Sequence, residues 1–220
     1  MYYSVLSLLL LLVLAISSLF IGVYEFESSP LSIIKNSIFN PNVIAETDAY
    51  ILFDLRLPRI VMGILIGSML AVSGTCMQGM FKNPLATPDL IGITSGATLF
   101  AAIAIVLGGF LKAFLPESFH FYLLSIMAFL GSLVTTISVY KIATVQGKTN
   151  VVIMLLSGVA ITAIGFAITG FLIYLAKEEE LRDLTFWNLG SLASATWYKN
   201  SILLGVMLLS YFFCWVKEKH

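Results

Sequence analysis

Few side chains in this chain are placed to do chemistry. The two histidines, His120 and His220, lie far apart and form no local metal-ligand motif. The two cysteines, Cys76 and Cys214, make no CxxC pair and sit in apolar runs, where a thiol behaves as a small buried hydrophobe. Gly147-Lys148-Thr149 has the ending of a phosphate-binding loop. Ile142, however, stands where that motif needs its first glycine, and a membrane helix rather than a strand precedes it. No carboxylate pair falls at membrane depth, so a proton relay has no machinery. We therefore expect no catalytic residue, no metal site and no cofactor. Any energy for uphill transport has to come from a partner.

The residues left to consider are small or weakly polar and follow helical spacing. Gly158, Thr162, Gly165 and Thr169 are four, three and four apart, which puts them on one helix face. Two readings stay open: a helix-packing face, or the wall of a wide translocation path that holds its cargo weakly. Gly63, Gly67, Ala71 and Gly74 form a second stripe, read as a helix-packing face that lets backbones approach closely. Gln78, near the end of the same run, reads either as a structural hydrogen bond or as part of a substrate path.

The elements that carry these stripes are membrane spans. Of 220 residues, 59% are hydrophobic and 11% charged, whereas a soluble domain has about a quarter charged. Six runs approach the ~20 apolar residues that a bilayer needs: 5–23, 60–81, 90–111, 119–140, 151–176 and 199–216. They are assigned to one transmembrane domain over 1–220. The first run has no Lys or Arg before it and exceeds a signal-peptide core, so it reads as a retained span. Net charge is zero with no basic patch, so the expected surroundings are membrane lipid and no nucleic acid is expected.

Between the spans, residues 24–55 form a segment punctuated by Pro30 and Pro41, with a short helix predicted over 31–39. The Asn83–Asp89 turn has two prolines, Pro84 and Pro88, which keep the residues before them out of the helical region. Asp89 reads as a cap or first-turn residue of the next helix, and Thr94-Ser95-Gly96 as a closely packed patch. A short helix is predicted over 189–195, with Trp187, Trp197 and Tyr198 at the membrane interface. With six spans both termini share one side. Lys82, Lys141, Lys148, Lys217 and Lys219 lie on that side, in short connections, and the seven other Lys and Arg are spread over long ones. Charge density therefore places the termini in the cytoplasm.

Several of these blocks together resemble a known family. They are Arg56-Leu57-Pro58-Arg59; Ser73-Gly74, Gln78 and Lys82-Asn83-Pro84-Leu85-Ala86; Pro88-Asp89-Leu90-Ile91-Gly92 and Ser95-Gly96-Ala97; Leu155 to Ala160; and Leu181-Arg182-Asp183 followed by Trp187, Gly190, Ser191 and Trp197. In this order they closely resemble the permease subunits of ABC importers for iron–siderophores, heme and vitamin B12. The resemblance implies an all-α polytopic transmembrane helical bundle in a bacterial inner membrane. It implies a homodimer with a second permease copy, an ABC ATPase subunit inside, and a periplasmic or lipoprotein substrate-binding protein outside.

The resemblance also assigns residues. It favours the path reading of Gly158, Thr162, Gly165 and Thr169. It gives Arg56 and Arg59 a role in docking the binding protein. Two arginines at an outer helix start can pair carboxylates bidentately, while pairing with Asp54 or Glu46, or interface anchoring, remains the alternative. A cytoplasmic gate carries over to Asn83 and Leu85, and more loosely to Asn150, Val151 and Val152. Family members have ten spans and this chain has six, so the chain reads as the N-terminal part of a longer permease, a truncated bundle lacking the coupling segment. A ferric-siderophore, heme or related chelate is the expected cargo. The alternatives are vitamin B12, a self-sufficient six-span channel, or a non-transporting remnant.

Overall fold

The computed structural model describes residues 2–27, 29–39 and 45–218, and their side chains except those of 3, 4, 37, 38 and 213–218. Pro41, Lys219, His220 and the Cys214 side chain lie outside that description. Among the described residues the fold is all-α apart from one two-residue hairpin. The elements are α1 (Tyr2–Phe20), α2 (Pro30–Phe39), α3 (Glu46–Tyr50), a π-helical turn (Ile51–Arg56), α4 (Leu57–Phe81), a 3-10 turn (Pro88–Ile91) and α5 (Ile93–Val106). Then come α6 (Gly108–Ala113), α7 (Glu117–His120), α8 (Leu123–Ala143), the strands β1 (Thr144–Val145) and β2 (Lys148–Thr149), α9 (Val151–Leu175), α10 (Glu178–Leu189) and α11 (Trp197–Glu218). Among the described residues three stretches are long and apolar enough to cross a membrane: Glu46–Phe81, Leu123–Ala143 and Val151–Leu175.

Residues 90–111, a single run in the sequence, are divided. Pro88 starts a 3-10 turn, Gly92 takes a left-handed conformation (φ 75°), and α5 begins only at Ile93. It ends at Val106, because Leu107 leaves the helical region ahead of the poor helix formers Gly108 and Gly109. At 1.5 Å per residue α5 spans about 21 Å, less than the ~30 Å hydrocarbon core. The helix predicted over 189–195 is also displaced. It forms earlier, as α10, where Glu178, Glu179 and Glu180 suit the positive end of the helix dipole. The Glu180 carboxylate accepts from the Lys177 N–H at 2.9 Å, and Gly190 (φ 71°) ends the helix before the aromatic stretch. The short helix over 31–39 is present as α2.

The chain forms two compact units, residues 1–71 with 191–220, and residues 72–190. In the first, Arg56 gathers the chain around the start of α4. Its guanidinium donates to the carbonyls of Leu19 (2.6 Å) and Tyr24 (2.8 Å) and lies 4.4 Å from the centre of the Phe26 ring. The Tyr24 hydroxyl donates to buried Asp48 at 2.8 Å. Pro58 has no N–H to offer the carbonyl of Phe53 five residues back, the partner a π turn calls for. The Trp197 indole N–H fills that place at 2.9 Å, and the Asn200 amide donates to the Pro58 carbonyl at 2.9 Å. The start of α11 is thus fastened to the proline-broken stretch by two side-chain donors.

In the second unit, α5 packs most closely on α8 and next on α9. Small residues permit this. A Cβ on Gly96 would strike Thr135 and the Gly131 carbonyl, and one on Gly131 would strike the Gly96 carbonyl and Phe100. Ser95 and Gly96 are therefore the tight part of the patch expected, while Thr94 is exposed. Asp89 accepts from the Thr94 hydroxyl across the bend. One core cluster joins Met77, Phe81, Ala86, Ile91, Val139, Ala143 and Met154, and another joins Ala102, Leu172 and Leu184.

Candidate functional site

Three groups of predicted residues are held in different settings. The stripe on α9 is a packing face within this chain. Gly158, Gly165 and Thr169 are buried. A Cβ at Gly158 would collide with the Leu90 carbonyl, and Gly165 faces Ser95 with 3.5 Å to spare. The Thr162 hydroxyl is 3.5 Å from that of Ser95, and Thr169 spends its hydroxyl on the Gly165 carbonyl at 2.8 Å. The start of α5 occupies this side of α9.

The opposite side of α9 is open. Ala160, Ala163, Ala167 and Gly170 are exposed, three, four and three residues apart, and a Cβ on Gly170 would meet nothing within 4 Å. The spacing of this second small-residue stripe is as plain in the sequence as that of the first, and only the fold sets the two apart.

The residues expected to form a gate lie in two capped turns of the second unit. The Asn83 side chain accepts from the Leu85 N–H at 2.9 Å, and the Asn83 carbonyl from the Ala86 N–H at 3.1 Å. This Asx-type turn pushes Leu85 outward, 82% exposed, while Ala86 is buried. Asn150 closes the hairpin, its N–H donating to the Ala143 carbonyl at 2.9 Å. Its side chain caps α9, accepting from the N–H groups of Val152 (2.9 Å) and Ile153 (3.2 Å). Ala86, Ala143 and Met154 share one core cluster, so the Asn83 turn and the Asn150 cap are joined through packed apolar side chains. Val151 and Val152 are exposed beside them.

The two arginines differ. Arg56 is engaged by backbone carbonyls and Phe26, not by Asp54 or Glu46. Arg59 is exposed and makes one long bond, 3.5 Å to the Ala193 carbonyl. In the stripe Gly63, Gly67, Ala71 and Gly74, expected to pack on a helix, the glycines have few near neighbours among the described residues. A Cβ at Gly63 would meet only Leu192 at 3.6 Å, and Cβ atoms at Gly67 and Gly74 would meet nothing within 4 Å. Gly63, Gly67 and Ala71 instead line an open cleft of about 1030 Å³.

An all-α set of long apolar helices with small-residue packing is the build of a membrane-spanning bundle. Residues 9–220 match the FecCD transport family, and the chain belongs to that family of membrane permeases. It is 36% identical over 192 residues to the hemin transport system permease protein HmuU of Yersinia pestis, covering 86% of this chain and 53% of that one. It is 36% identical over 166 residues to the cobalamin import system permease protein BtuC of Halobacterium salinarum, covering 76% and 42%. A solved chain, from a transporter assigned to the metal-chelate ABC type in an inward-facing conformation, superposes with a TM-score of 0.72 at 29% identity, covering 95% of this chain and 60% of that one. The chain spans about half the length of the curated relatives it matches.

Proposed function

We propose that this chain serves as a permease subunit of a binding-protein-dependent ABC importer. Its cargo would be heme, a ferric siderophore or a related metal chelate, crossing a bacterial inner membrane with both termini in the cytoplasm. The observation that carries this is the unbroken match of residues 9–220 to the FecCD transport family. The partners are a separate ATPase, an external substrate-binding protein and a second permease copy. The hemin relative supports the heme reading, and the cobalamin relative supports vitamin B12 as the second reading.

Within that reading, Arg59 is the arginine with donors to spare for a carboxylate on the binding protein. Arg56 acts indirectly, by fixing the backbone from which Arg59 projects. Leu85 on its rigid turn and Val151–Val152 beside the Asn150 cap form the cytoplasmic gate. A translocation path along α9 runs on its open side, past Ala160, Ala163, Ala167 and Gly170. Gly158, Thr162, Gly165 and Thr169 support that wall from behind by seating α9 on α5.

The test is uptake of iron-labelled hemin, a ferric siderophore and cobalamin by cells lacking their own permease. This chain would be supplied with the ATPase and binding protein of its organism. Uptake that needs all three proteins supports the proposal. Uptake that persists without the ATPase overturns it in favour of a self-sufficient channel.

A further inference from the structure

Helix runs unbroken from Glu46 to Phe81, but its hydrogen bonding changes register part-way. Ile51–Arg56 form a π turn, and the Leu57 N–H donates to the Leu52 carbonyl, five residues back. An α-helix would give that N–H to Phe53, four residues back. The Phe53 carbonyl is left to an outside donor, and the Trp197 indole N–H reaches it at 2.9 Å. Pro58 keeps both patterns incomplete. It has no N–H for the π bond to Phe53 or for the α bond to Asp54. A second observation lies beside the first. Asn200 is 4% exposed and its amide donates to the Pro58 carbonyl, yet among the described residues its side-chain oxygen has no hydrogen-bond partner. A buried acceptor without a donor is costly. Trp197 stands three residues before it on α11, on the same helix face.

We infer that these residues form a joint with two states. In the π state, the one described above, the Trp197 indole donates to Phe53 and the Asn200 oxygen is unpaired. In the α state, the Leu57 N–H takes the Phe53 carbonyl and the displaced indole donates to the Asn200 oxygen. Each state leaves one acceptor over: the Asn200 oxygen in the first, and in the second the carbonyl of Asp54, an exposed residue that water can reach. Two states so matched are chosen between by a small bias. Conversion takes one residue out of the turn and rotates α3 by about 100° against α4. Asp48 of α3 holds the Tyr24 hydroxyl, and the Tyr24 carbonyl holds Arg56. The joint therefore ties the surroundings of Arg56 to the start of α11. The inference rests on hydrogen bonds within the first unit and not on import, so it stands or falls apart from the proposed cargo and partners.

The experiment is NMR of the full chain in detergent with isotope-labelled tryptophan, following the indole N–H signals and their exchange with water. The chain has three tryptophans, and W197F identifies the signal of Trp197. P58A returns the N–H that the α bond to Asp54 needs and adds helix propensity, so it favours the α state and keeps the helix. P58A should move the Trp197 signal while its exchange stays within about twofold of wild type, because the indole now rests on Asn200. N200A alone should leave the indole protected on Phe53. P58A combined with N200A should speed its exchange about tenfold or more, since neither acceptor remains. Helical circular dichroism checks that each variant is folded. A Trp197 signal unmoved by P58A, protection lost in N200A alone, or protection kept in the folded double variant would each overturn the joint.

Discussion

Glycines in this chain separate into those that permit contact and those that face open space, and substitution should tell them apart. Gly158 faces a backbone carbonyl, which has no rotamer through which to move aside. G158A should therefore cost about 1–3 kcal/mol, the usual penalty of overpacking, seen as a lower thermal midpoint in detergent. G170A, on the same helix with nothing within 4 Å, should be neutral or stabilise by up to about 1 kcal/mol through helix propensity. Tyr24 gives a second test at this scale. Its hydrogen bond to Asp48 pushes the phenol above its ordinary value, with the nearby negative charges adding to the effect. A raised pKa in the folded state means that this stabilisation is complete below about pH 10 and is lost as pH rises through the folded value. The stability advantage of wild type over Y24F should accordingly hold constant from neutral pH to about 10 and shrink above it, as followed by unfolding at a series of pH values.

At the scale of elements, caps and breaks decide where helices lie. N150A removes the acceptor for two N–H groups at the start of α9 and should cost about 1 kcal/mol in denaturant unfolding, with a frayed first turn. The helices of the long apolar runs were legible because periodicity and length leave little choice for 57–81, 123–143 and 151–175. The division of 90–111 was less so. The turn needs Gly92 at positive φ and the break needs Leu107 to leave the helix, and neither overrides hydropathy when the run is read as a whole. The stripes show the limit of spacing more sharply. On α9 small residues line two opposite sides, and only the placement of α5 decides that Gly158 to Thr169 pack while Ala160 to Gly170 face outward. On α4 the same kind of spacing names a packing face, and Gly63, Gly67 and Ala71 of it line an open cleft. The roles of Trp197 and Asn200 were out of reach, because their partners, the carbonyls of Phe53 and Pro58, are more than a hundred residues away in sequence.

For the whole molecule, the chain belongs to the FecCD transport family, and the proposal adds a permease role that depends on two partners. Arg59 is the residue through which one partnership should be felt, since it is exposed and lightly held whereas Arg56 is committed. The most direct measurement is capture of the organism's substrate-binding protein by the detergent-purified chain, with R59E beside it. The account predicts that the wild type captures the binding protein, that R59E loses about tenfold or more in affinity through like-charge repulsion, and that added salt weakens the wild-type complex. Capture unchanged in R59E, or no capture while the chain alone conducts solute in liposomes, would contradict it.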